Sequence, residues 1–299
     1  TDFSLLKQDI DILTKKSELR GSDTFGVLIK DQLTNSIFKI NENPSSALKR
    51  KDYKNFLNKK LKKELDYVSI IGQTRLVTNG SKFSENNNQP ILTENIIGVH
   101  NGIFVDFEED KLSNKTKNYE SNSIKSDSLQ FFEMLSDISF ENNISNNFIN
   151  TVNKIKGNYS IAFTFKEYDQ VLLSSNCGSL FYYYDKKNNF FAFASEKKIL
   201  IDYINESKFV KNKKINLNLD YVKQCFDKIV IFNPLKNELK IIDNKNMKND
   251  FNYKLFKINK DQKIKTTTNF EDNLYRHSKL KRCNNCILPE TYPYIKFDN

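Results

Sequence analysis

Two blocks of short segments that alternate apolar and polar residues constrain the fold of this 299-residue chain most strongly. The first block predicts strands at Phe25–Lys30, Ser36–Ile40, Tyr67–Ile71, Ile96–His100 and Ile103–Phe107. The second predicts an antiparallel meander at Tyr159–Phe165, Gln170–Ser174, Leu180–Asp185 and Phe190–Ser195, with two later strands near Ile229–Phe232 and Glu238–Ile242. Helical spacing flanks the blocks at Phe3–Leu19, Lys49–Leu65, Ser126–Leu135, Asn147–Lys156 and Glu196–Ile204. The pattern predicts an α+β fold with helices outside two packed antiparallel sheets, and it argues against a parallel nucleotide-binding sheet.

The net charge of +10 comes almost entirely from lysines, which are scattered apart from two clusters at 49–51 and 59–63. A site that recognises phosphates or bases would favour the planar fork of arginine, so we expect no nucleic-acid partner. No stretch approaches the ~20 apolar residues of a membrane span, and no signal peptide is visible. Four cysteines do not make a disulfide framework in a chain of this length. We therefore expect a cytoplasmic protein without membrane contact, either monomeric or a homo-oligomer.

Four small polar motifs stand at the ends of apolar runs, in the order Arg20-Gly21-Ser22-Asp23, Gly72-Gln73-Thr74-Arg75, His100-Asn101-Gly102 and Ser126-Asp127. Arg75 ends a buried strand, where an unpaired guanidinium is costly. It therefore either forms an internal salt bridge, with Asp23 or Asp127 as partner, or binds the carboxylate of a ligand through its planar fork.

Asn101-Gly102 between two apolar runs is the strongest short signal for a β-hairpin turn. The same pair offers a side-chain amide and a backbone N–H to a developing oxyanion, and the two interpretations are compatible because a tight turn is rigid. Ser126 and Asp127 either cap a helix or present the Asp127 carboxylate to an ammonium group. With Arg75, Asp127 would then bind the backbone of an amino acid.

In this order the motifs resemble the glutaminase domain of class II (N-terminal nucleophile) glutamine amidotransferases, which include asparagine synthetase and glucosamine-6-phosphate synthase. The resemblance extends over roughly residues 5–240 and includes Gly157-Asn158-Tyr159-Ser160 and the segment 191–196. It implies a four-layer αββα sandwich of the Ntn-hydrolase type, without a cofactor. It also implies that Arg75 binds the glutamine carboxylate and that Asp127 binds the amino group. Asn101 and Gly102 would bind the oxyanion, and Thr78 and Gln89-Pro90 would lie near the pocket rim. Arg20 and Asp23 would support the structure through a buried contact.

The family's nucleophile is an N-terminal Cys, whose thiol attacks the amide and whose own α-amine acts as base. Here Thr1 stands first and leads directly into a helical pattern. We expect that the first strand, with its Cys, is missing from residues 1–299, which would leave this chain inactive by itself. The alternatives are a degenerate, non-hydrolytic domain and Thr1 as nucleophile. Cys177, in a turn, and Cys225, in a helical pattern, are predicted to be ordinary residues.

A second signature follows Arg282 and begins with Cys283-Asn284-Asn285-Cys286-Ile287-Leu288-Pro289-Glu290-Thr291. Cys-x-x-Cys is half of a tetrahedral zinc site; a redox pair is the competing interpretation, but no thioredoxin-like βαβ unit surrounds it. The string resembles the opening of N-acetyl sugar amidotransferases, which are ATP-pyrophosphatase-type enzymes of surface-polysaccharide pathways. The resemblance implies zinc at Cys283 and Cys286, and ATP with Mg²⁺ for a truncated synthetase domain.

The predicted organisation is a glutaminase domain at 1–243, a linker at 244–280 and the start of a synthetase domain at 281–299. Such a protein would hydrolyse glutamine to glutamate and ammonia and feed an ATP-dependent amidation, with a surface-polysaccharide sugar as the expected acceptor. Two alternatives remain: a degenerate module that binds or scaffolds the synthetase, and an asparagine synthetase-like enzyme.

Overall fold

The computed structural model describes residues 3–62, 65–76, 88–107, 126–136, 148, 151–153, 155–215 and 219–243. The helices in these ranges are α1 (Phe3–Ser17), α2 (Pro44–Ala47), α3 (Lys51–Lys60), α4 (Asp127–Ser136), α5 (Lys197–Glu206) and α6 (Lys208–Asn212), with 3-10 turns at Glu18–Arg20 and Leu219–Tyr221. The strands are β1 (Thr24–Lys30), β2 (Asn35–Ile40), β3 (Ser69–Arg75), β4 (Ile91–Leu92), β5 (Ile96–Phe107), β6 (Ile155–Phe165), β7 (Val171–Ser175), β8 (Phe181–Asp185), β9 (Phe190–Ala194), β10 (Val222–Gln224), β11 (Lys228–Asn233) and β12 (Glu238–Asp243). None of the described helices is long and apolar enough to cross a membrane.

These strands form three antiparallel sheets within the described residues, ordered β2-β1-β3, β10-β8-β9 and β12-β11-β7-β6-β5-β4. One buried cluster draws side chains from all three sheets, among them Ile71 of β3, Val99 of β5 and Tyr182 of β8. The two small sheets therefore pack against the same face of the six-stranded sheet, with this apolar cluster between them.

Helices cover the outer faces of these sheets. α1, α2 and α3 pack on the first small sheet around Tyr53, and α5 and α6 pack on the second small sheet around Tyr203. α4 packs on the outer face of the six-stranded sheet through Phe131 and Phe132. The layers thus run helix, sheet, sheet, helix, and the predicted αββα sandwich is confirmed.

Short-range signals set where two of these helices begin. Asn43 precedes α2, where its Oδ1 atom accepts from the Ser46 backbone N–H at 3.4 Å and Pro44 takes the first helical position. Ser126 precedes α4, and its Oγ atom accepts from the Leu129 backbone N–H at 3.3 Å. The predicted cap on α4 is therefore present, and it is provided by Ser126.

The predicted turn at Asn101-Gly102 is wrong. β5 runs without a break from Ile96 to Phe107, and β6 pairs with it on both sides of this dipeptide, with Ser160 opposite Asn101 and Tyr159 opposite Gly102. Because the long neighbouring strand β6 offers partners along β5, with a register shift only between Phe104 and Asp106, the ladder overrides the local turn preference.

The predicted meander is also wrong at its centre. β6 pairs with β7 and β8 pairs with β9, but β7 and β8 belong to different sheets. The chain crosses from one layer to the other between them, through a turn in which Gly178 has a φ of +75°. Alternating burial identifies a strand but does not say which sheet receives it.

Two smaller assignments also change. Gly157 does not end a helix; it lies inside β6, and only 148 and 151–152 of the predicted helix at 147–156 are described as helical. Cys225 follows strand β10 in an irregular segment rather than a helix, and its buried backbone N–H donates to the Leu180 carbonyl at 2.8 Å.

Candidate active site

Arg75 lies at the end of β3, on the face of the strand that also carries Ile71 into the space between the sheets. Its side chain is buried, and the residue is 9% exposed. Gly21 allows the chain after α1 to approach here, because a Cβ atom at Gly21 would lie 2.3 Å from the carbonyl carbon of Arg75. The Asp23 backbone N–H donates to the Arg75 carbonyl at 2.9 Å. The Arg20-Gly21-x-Asp23 motif therefore braces the strand end that carries Arg75.

The charge of Arg75 is surrounded by polar groups from distant parts of the chain. Its Nη1 atom donates to Oδ1 of Asn88 at 3.2 Å. Burial lowers the pKa of Arg75, and the negative charges of Asp127 and Asp23 act in the opposite direction. Both carboxylates that the sequence nominated as partners are thus near Arg75, so the fold brings these three predicted residues together.

Asp127, the first residue of α4, connects that helix to β5. Its Oδ2 atom accepts from the Phe104 backbone N–H at 3.2 Å, and its Oδ1 atom accepts from the Ser128 N–H at 2.8 Å. The carboxylate therefore lies beside the strand two residues after Gly102. Its negative charge acts on Arg75, so an acidic and a basic group lie within electrostatic range of each other, as receptors for the two charged groups of an α-amino acid have to.

Asn101 is half-buried and sits one residue after His100 on β5. Successive side chains of a strand point to opposite faces, so Asn101 shares its face with Val99, which packs between the sheets. Arg75 occupies the equivalent face of β3 at the same end of the sandwich. Gln73 of β3 links the two strands, because its Nε2 atom donates to the His100 carbonyl at 3.3 Å.

Gly102 directs its backbone N–H away from β6. Tyr159, the residue opposite, bonds instead to Asn176 through both its N–H (2.7 Å) and its carbonyl (3.1 Å). Opposed residues of an antiparallel pair either exchange both hydrogen bonds or neither, so the Gly102 N–H faces the other side of β5. The Gly102 N–H therefore points away from the hydrogen bonds that join β5 to β6, which is the orientation that an oxyanion donor requires.

His100 is buried on the opposite face of β5, against α4. Its Nδ1 atom is 2.8 Å from the Ser128 hydroxyl, and its ring stacks on Phe104 with centroids 4.3 Å apart. Burial lowers the pKa of His100 to about 4, while Asp127 and the Asn158 backbone favour the protonated form. Among the residues that the structure describes, none forms a hydrogen bond of good geometry with Nε2, although the Asn158 backbone approaches it. His100 is therefore a neutral packing residue behind the site.

Cys177 lies on the site side of the six-stranded sheet. Ser160, the partner of Asn101 in the register, is 2.7 Å from Ser175 between the hydroxyl oxygens, and the Cys177 Sγ atom is 3.4 Å from the Ser160 Oγ. The thiol is also 3.6 Å from the Tyr159 carbonyl, to which it donates. Cys225, by contrast, is fully buried, and burial raises the pKa of its thiol to about 12.

Arg20 has a partner that the sequence did not predict. Its Nη1 atom is 2.5 Å from Oε1 of Glu196, and both side chains are largely buried. The predicted contact was with Asp23, whereas this ion pair connects the end of α1 to the start of α5, far apart in sequence. Glu196 belongs to a segment that the sequence singled out as a helix start, but no local signal identifies its partner.

The remaining predicted site residues lie outside the described residues. This applies to Thr78, to Cys283 and Cys286, and to the linker at 244–280. Among the residues that the structure does describe, no group of three or more His, Cys, Asp or Glu side chains is placed to hold a metal ion. The zinc prediction therefore stays a prediction.

The sequence of residues 73–202 matches the family model described as a glutamine amidotransferase domain. This segment is a glutamine amidotransferase domain. It begins two residues before Arg75 and contains Asn101, Gly102 and Asp127. The family is the one indicated by the ordered motifs, of which Arg20-Gly21-Ser22-Asp23 precedes the matched residues. A search of curated protein sequences finds no match.

Solved structures show the same fold. Glutamine phosphoribosylpyrophosphate amidotransferase from B. subtilis, complexed with ADP and GMP, superimposes with a TM-score of 0.55 at 16% identity. A structure described as the allosteric regulatory enzyme of purine biosynthesis gives a TM-score of 0.57, also at 16% identity. Each alignment covers 79% of this chain and 46% of the other, so this chain spans slightly under half the length of these relatives. This likeness confirms the fold, a sandwich of antiparallel sheets between helices.

Proposed function

We propose that the amidotransferase domain hydrolyses glutamine to glutamate and ammonia. The observation that carries the proposal is the electrostatic influence of Asp127 on Arg75 at the end of the sandwich where Asn101 and Gly102 lie, since these residues come from three separate elements. The match of residues 73–202 to the glutamine amidotransferase family supports glutamine as the substrate.

In this proposal Arg75 and Asp127 bind the two charged groups of the substrate. The guanidinium of Arg75 is matched to the α-carboxylate, with which it forms two parallel hydrogen bonds. The Asp127 carboxylate, held by the Phe104 N–H, accepts from the α-ammonium. Because both groups are attached to one carbon atom of glutamine, their receptors have to be adjacent, and the mutual electrostatic influence of Arg75 and Asp127 supports this.

Asn101 and Gly102 then act on the side-chain amide. A thiolate adds to the amide carbon, and the carbonyl oxygen becomes an oxyanion that accepts from the Asn101 amide and the Gly102 N–H. The α-amine that took the thiol proton passes it to the amide nitrogen, so collapse of this tetrahedral intermediate expels ammonia and leaves a thioester. Water hydrolyses the thioester to glutamate and restores the thiol. The preorganised strand β5 keeps both donors in place without reorganisation during the reaction.

We propose that the attacking thiol belongs to a Cys preceding Thr1. Neither described cysteine is suited to the role: Cys225 is fully buried, and the Cys177 thiol is engaged in hydrogen bonds. The pKa of Cys225 is raised by burial, and the Cys177 thiol donates to a backbone carbonyl among two serine hydroxyls. N-terminal sequencing of the intact, processed protein tests this directly: a Cys as first residue supports hydrolysis, and its absence favours the degenerate binding module.

The destination of the ammonia is a further part of the proposal. The segment around Cys283 and Cys286 supports an ATP-dependent synthetase domain in the same polypeptide, with zinc held in part by these two thiols and a surface-polysaccharide sugar as acceptor. An asparagine synthetase-like reaction is the alternative. Assays of ammonia incorporation with sugar carboxylates or aspartate as acceptors distinguish the two.

Substitution of Asn101 by Ala in the intact protein tests the hydrolytic role. Loss of one oxyanion donor costs about 10²–10³ in kcat, so glutamate release should fall by that factor while the circular dichroism spectrum is retained. Asn95→Ala is the matched control, because Asn95 precedes β5 and its side-chain amide donates to the Ser136 carbonyl, away from the proposed site. Normal turnover by Asn101→Ala would contradict the assignment.

A further inference from the structure

The segment Asn88-Gln89-Pro90 lies buried between the sheets, directly before the short strand β4. Asn88 and Gln89 are 2% and 6% exposed, although both carry polar amides. Gly26 of β1 accommodates them, because a Cβ atom at Gly26 would lie 1.9 Å from the Gln89 carbonyl oxygen. Buried amides are found where they satisfy specific partners, and both of these amides do so.

Gln89 bonds to both backbone groups of His100. Its Oε1 atom accepts from the His100 N–H at 2.6 Å, and its Nε2 atom donates to the His100 carbonyl at 2.9 Å. β4 pairs with β5 only as far as Ile91 opposite Gly98, so two residues further along the side chain of Gln89 replaces the missing ladder. The residue that it holds immediately precedes Asn101 and Gly102.

Asn88 bonds to the other end of the site. Its Oδ1 atom accepts from Nη1 of Arg75 at 3.2 Å, while its Nδ2 atom donates to Oδ1 of Asn41 at 2.5 Å. The amide thus fixes the guanidinium against the end of β2. Two neighbouring side chains therefore contact the residue proposed to bind the substrate carboxylate and the strand proposed to bind the oxyanion.

We propose that Asn88 and Gln89 are positioning residues of the glutaminase reaction, and this inference rests on the function proposed above. Gln89 sets the position of the oxyanion donors by holding the His100 backbone, and Asn88 sets the orientation of Arg75. Because the two residues are adjacent in the chain, they also fix the spacing between the receptors for the two ends of glutamine. Neither residue touches the substrate in this proposal.

The two positions should affect different kinetic constants. A displaced oxyanion donor weakens an interaction made only in the transition state, so Gln89→Leu should lower kcat by about tenfold or more and change KM by less than about threefold. A misoriented Arg75 weakens binding of ground state and transition state alike, so Asn88→Ala should raise KM by about tenfold with kcat nearly unchanged. A merely structural role would not divide the effects in this way.

Steady-state glutamine hydrolysis by the intact protein measures both constants. Asn95→Ala is again the control, since it removes a side-chain-to-main-chain hydrogen bond at the opposite end of β5 and should leave both constants unchanged. If Gln89→Leu does not fold, Gln73→Leu replaces it, because that change removes only the longer bond to the His100 carbonyl and should lower kcat to a smaller extent.

The outcomes separate this inference from the function on which it rests. Absence of glutaminase activity in the unmodified protein, with an N-terminal Cys present, would overturn the proposed function and this inference together. An active wild-type protein whose Asn88 and Gln89 variants alter kcat and KM in parallel, or leave both unchanged, would overturn the inference alone. The divided effect, with kcat lowered by one substitution and KM raised by its neighbour, would support it.

Discussion

Substitution of Gly102 by Ala makes the sharpest prediction from the structure. Gly102 has a φ of +154°, and a Cβ atom there would lie 2.0 Å from the Asn158 carbonyl oxygen and 2.8 Å from His100 Nε2. Contacts of Cβ atoms below 3.0 Å essentially do not occur, and the blocking atom belongs to the backbone of β6. The two strands therefore have to separate by about 1 Å at the point where β5 presents its proposed oxyanion donor.

This displacement has two measurable costs. A residue other than glycine at this φ is disfavoured by about 1–3 kcal/mol, so the free energy of unfolding should fall by at least that amount. A misplacement of about 1 Å at a reacting centre costs on the order of 10² in rate, equivalent to about 2.7 kcal/mol of transition-state stabilisation. We expect kcat for glutamine hydrolysis to fall about 100-fold, with KM much less affected.

Urea unfolding and steady-state hydrolysis by the intact protein measure these two effects. Gly178→Ala is the control for backbone strain, because Gly178 has a φ of +75° but its Cβ would meet only the movable end of the Gln224 side chain. We expect that control to lose stability while kcat stays near the wild-type value. If Gly102→Ala is destabilised but hydrolyses glutamine at the wild-type rate, Gly102 does not contribute to an oxyanion hole.

Three further predictions concern residues around the site. Cys177→Ser should retain glutaminase activity, because its thiol bonds to serine hydroxyls and a carbonyl; complete loss would identify Cys177 as the nucleophile. Arg20→Met should lower the free energy of unfolding by about 1–3 kcal/mol, since it leaves Glu196 largely buried without this partner. In a double-mutant cycle, the double variant Arg20→Met with Glu196→Gln should regain part of that stability. Because the pKa of His100 is depressed in the folded state, the unfolded chain takes up a proton at this histidine before the folded chain does as the pH falls. The contribution of neutral His100 to the free energy of unfolding is therefore complete above pH ~6.5 and declines by up to about 1.4 kcal/mol per pH unit down to pH ~4. Urea titrations at pH 7 and pH 5 should show a smaller decline for His100→Gln than for wild type, and equal declines would contradict the attribution to His100.

Most of the candidate site residues could be predicted from the sequence, because only certain side chains can bind a carboxylate, an ammonium group or an oxyanion. An arginine at the end of a buried strand, an Asn-Gly pair and an aspartate at a helix start are each ambiguous, but their order along the chain indicated the family that the sequence comparison supports. What could not be predicted are the contacts that hold these residues. Neither the bond from Arg75 to Asn88 nor the two bonds from Gln89 to His100 has a signature in the local sequence, since polar residues of a loop usually face solvent.

The sequence by itself determined most of the longer helices and strands, because alternation with periods of 2 and 3.6 records which side of each element is buried. It also determined the chemical groups available at the site. Only the tertiary structure decided that β5 continues through Asn101-Gly102, that β7 and β8 belong to different layers, and that Arg75 meets Asp127. The physical reason is that strand pairing is non-local: register and partner are chosen by burying all apolar faces and satisfying all backbone groups together, and no short window of sequence contains that information.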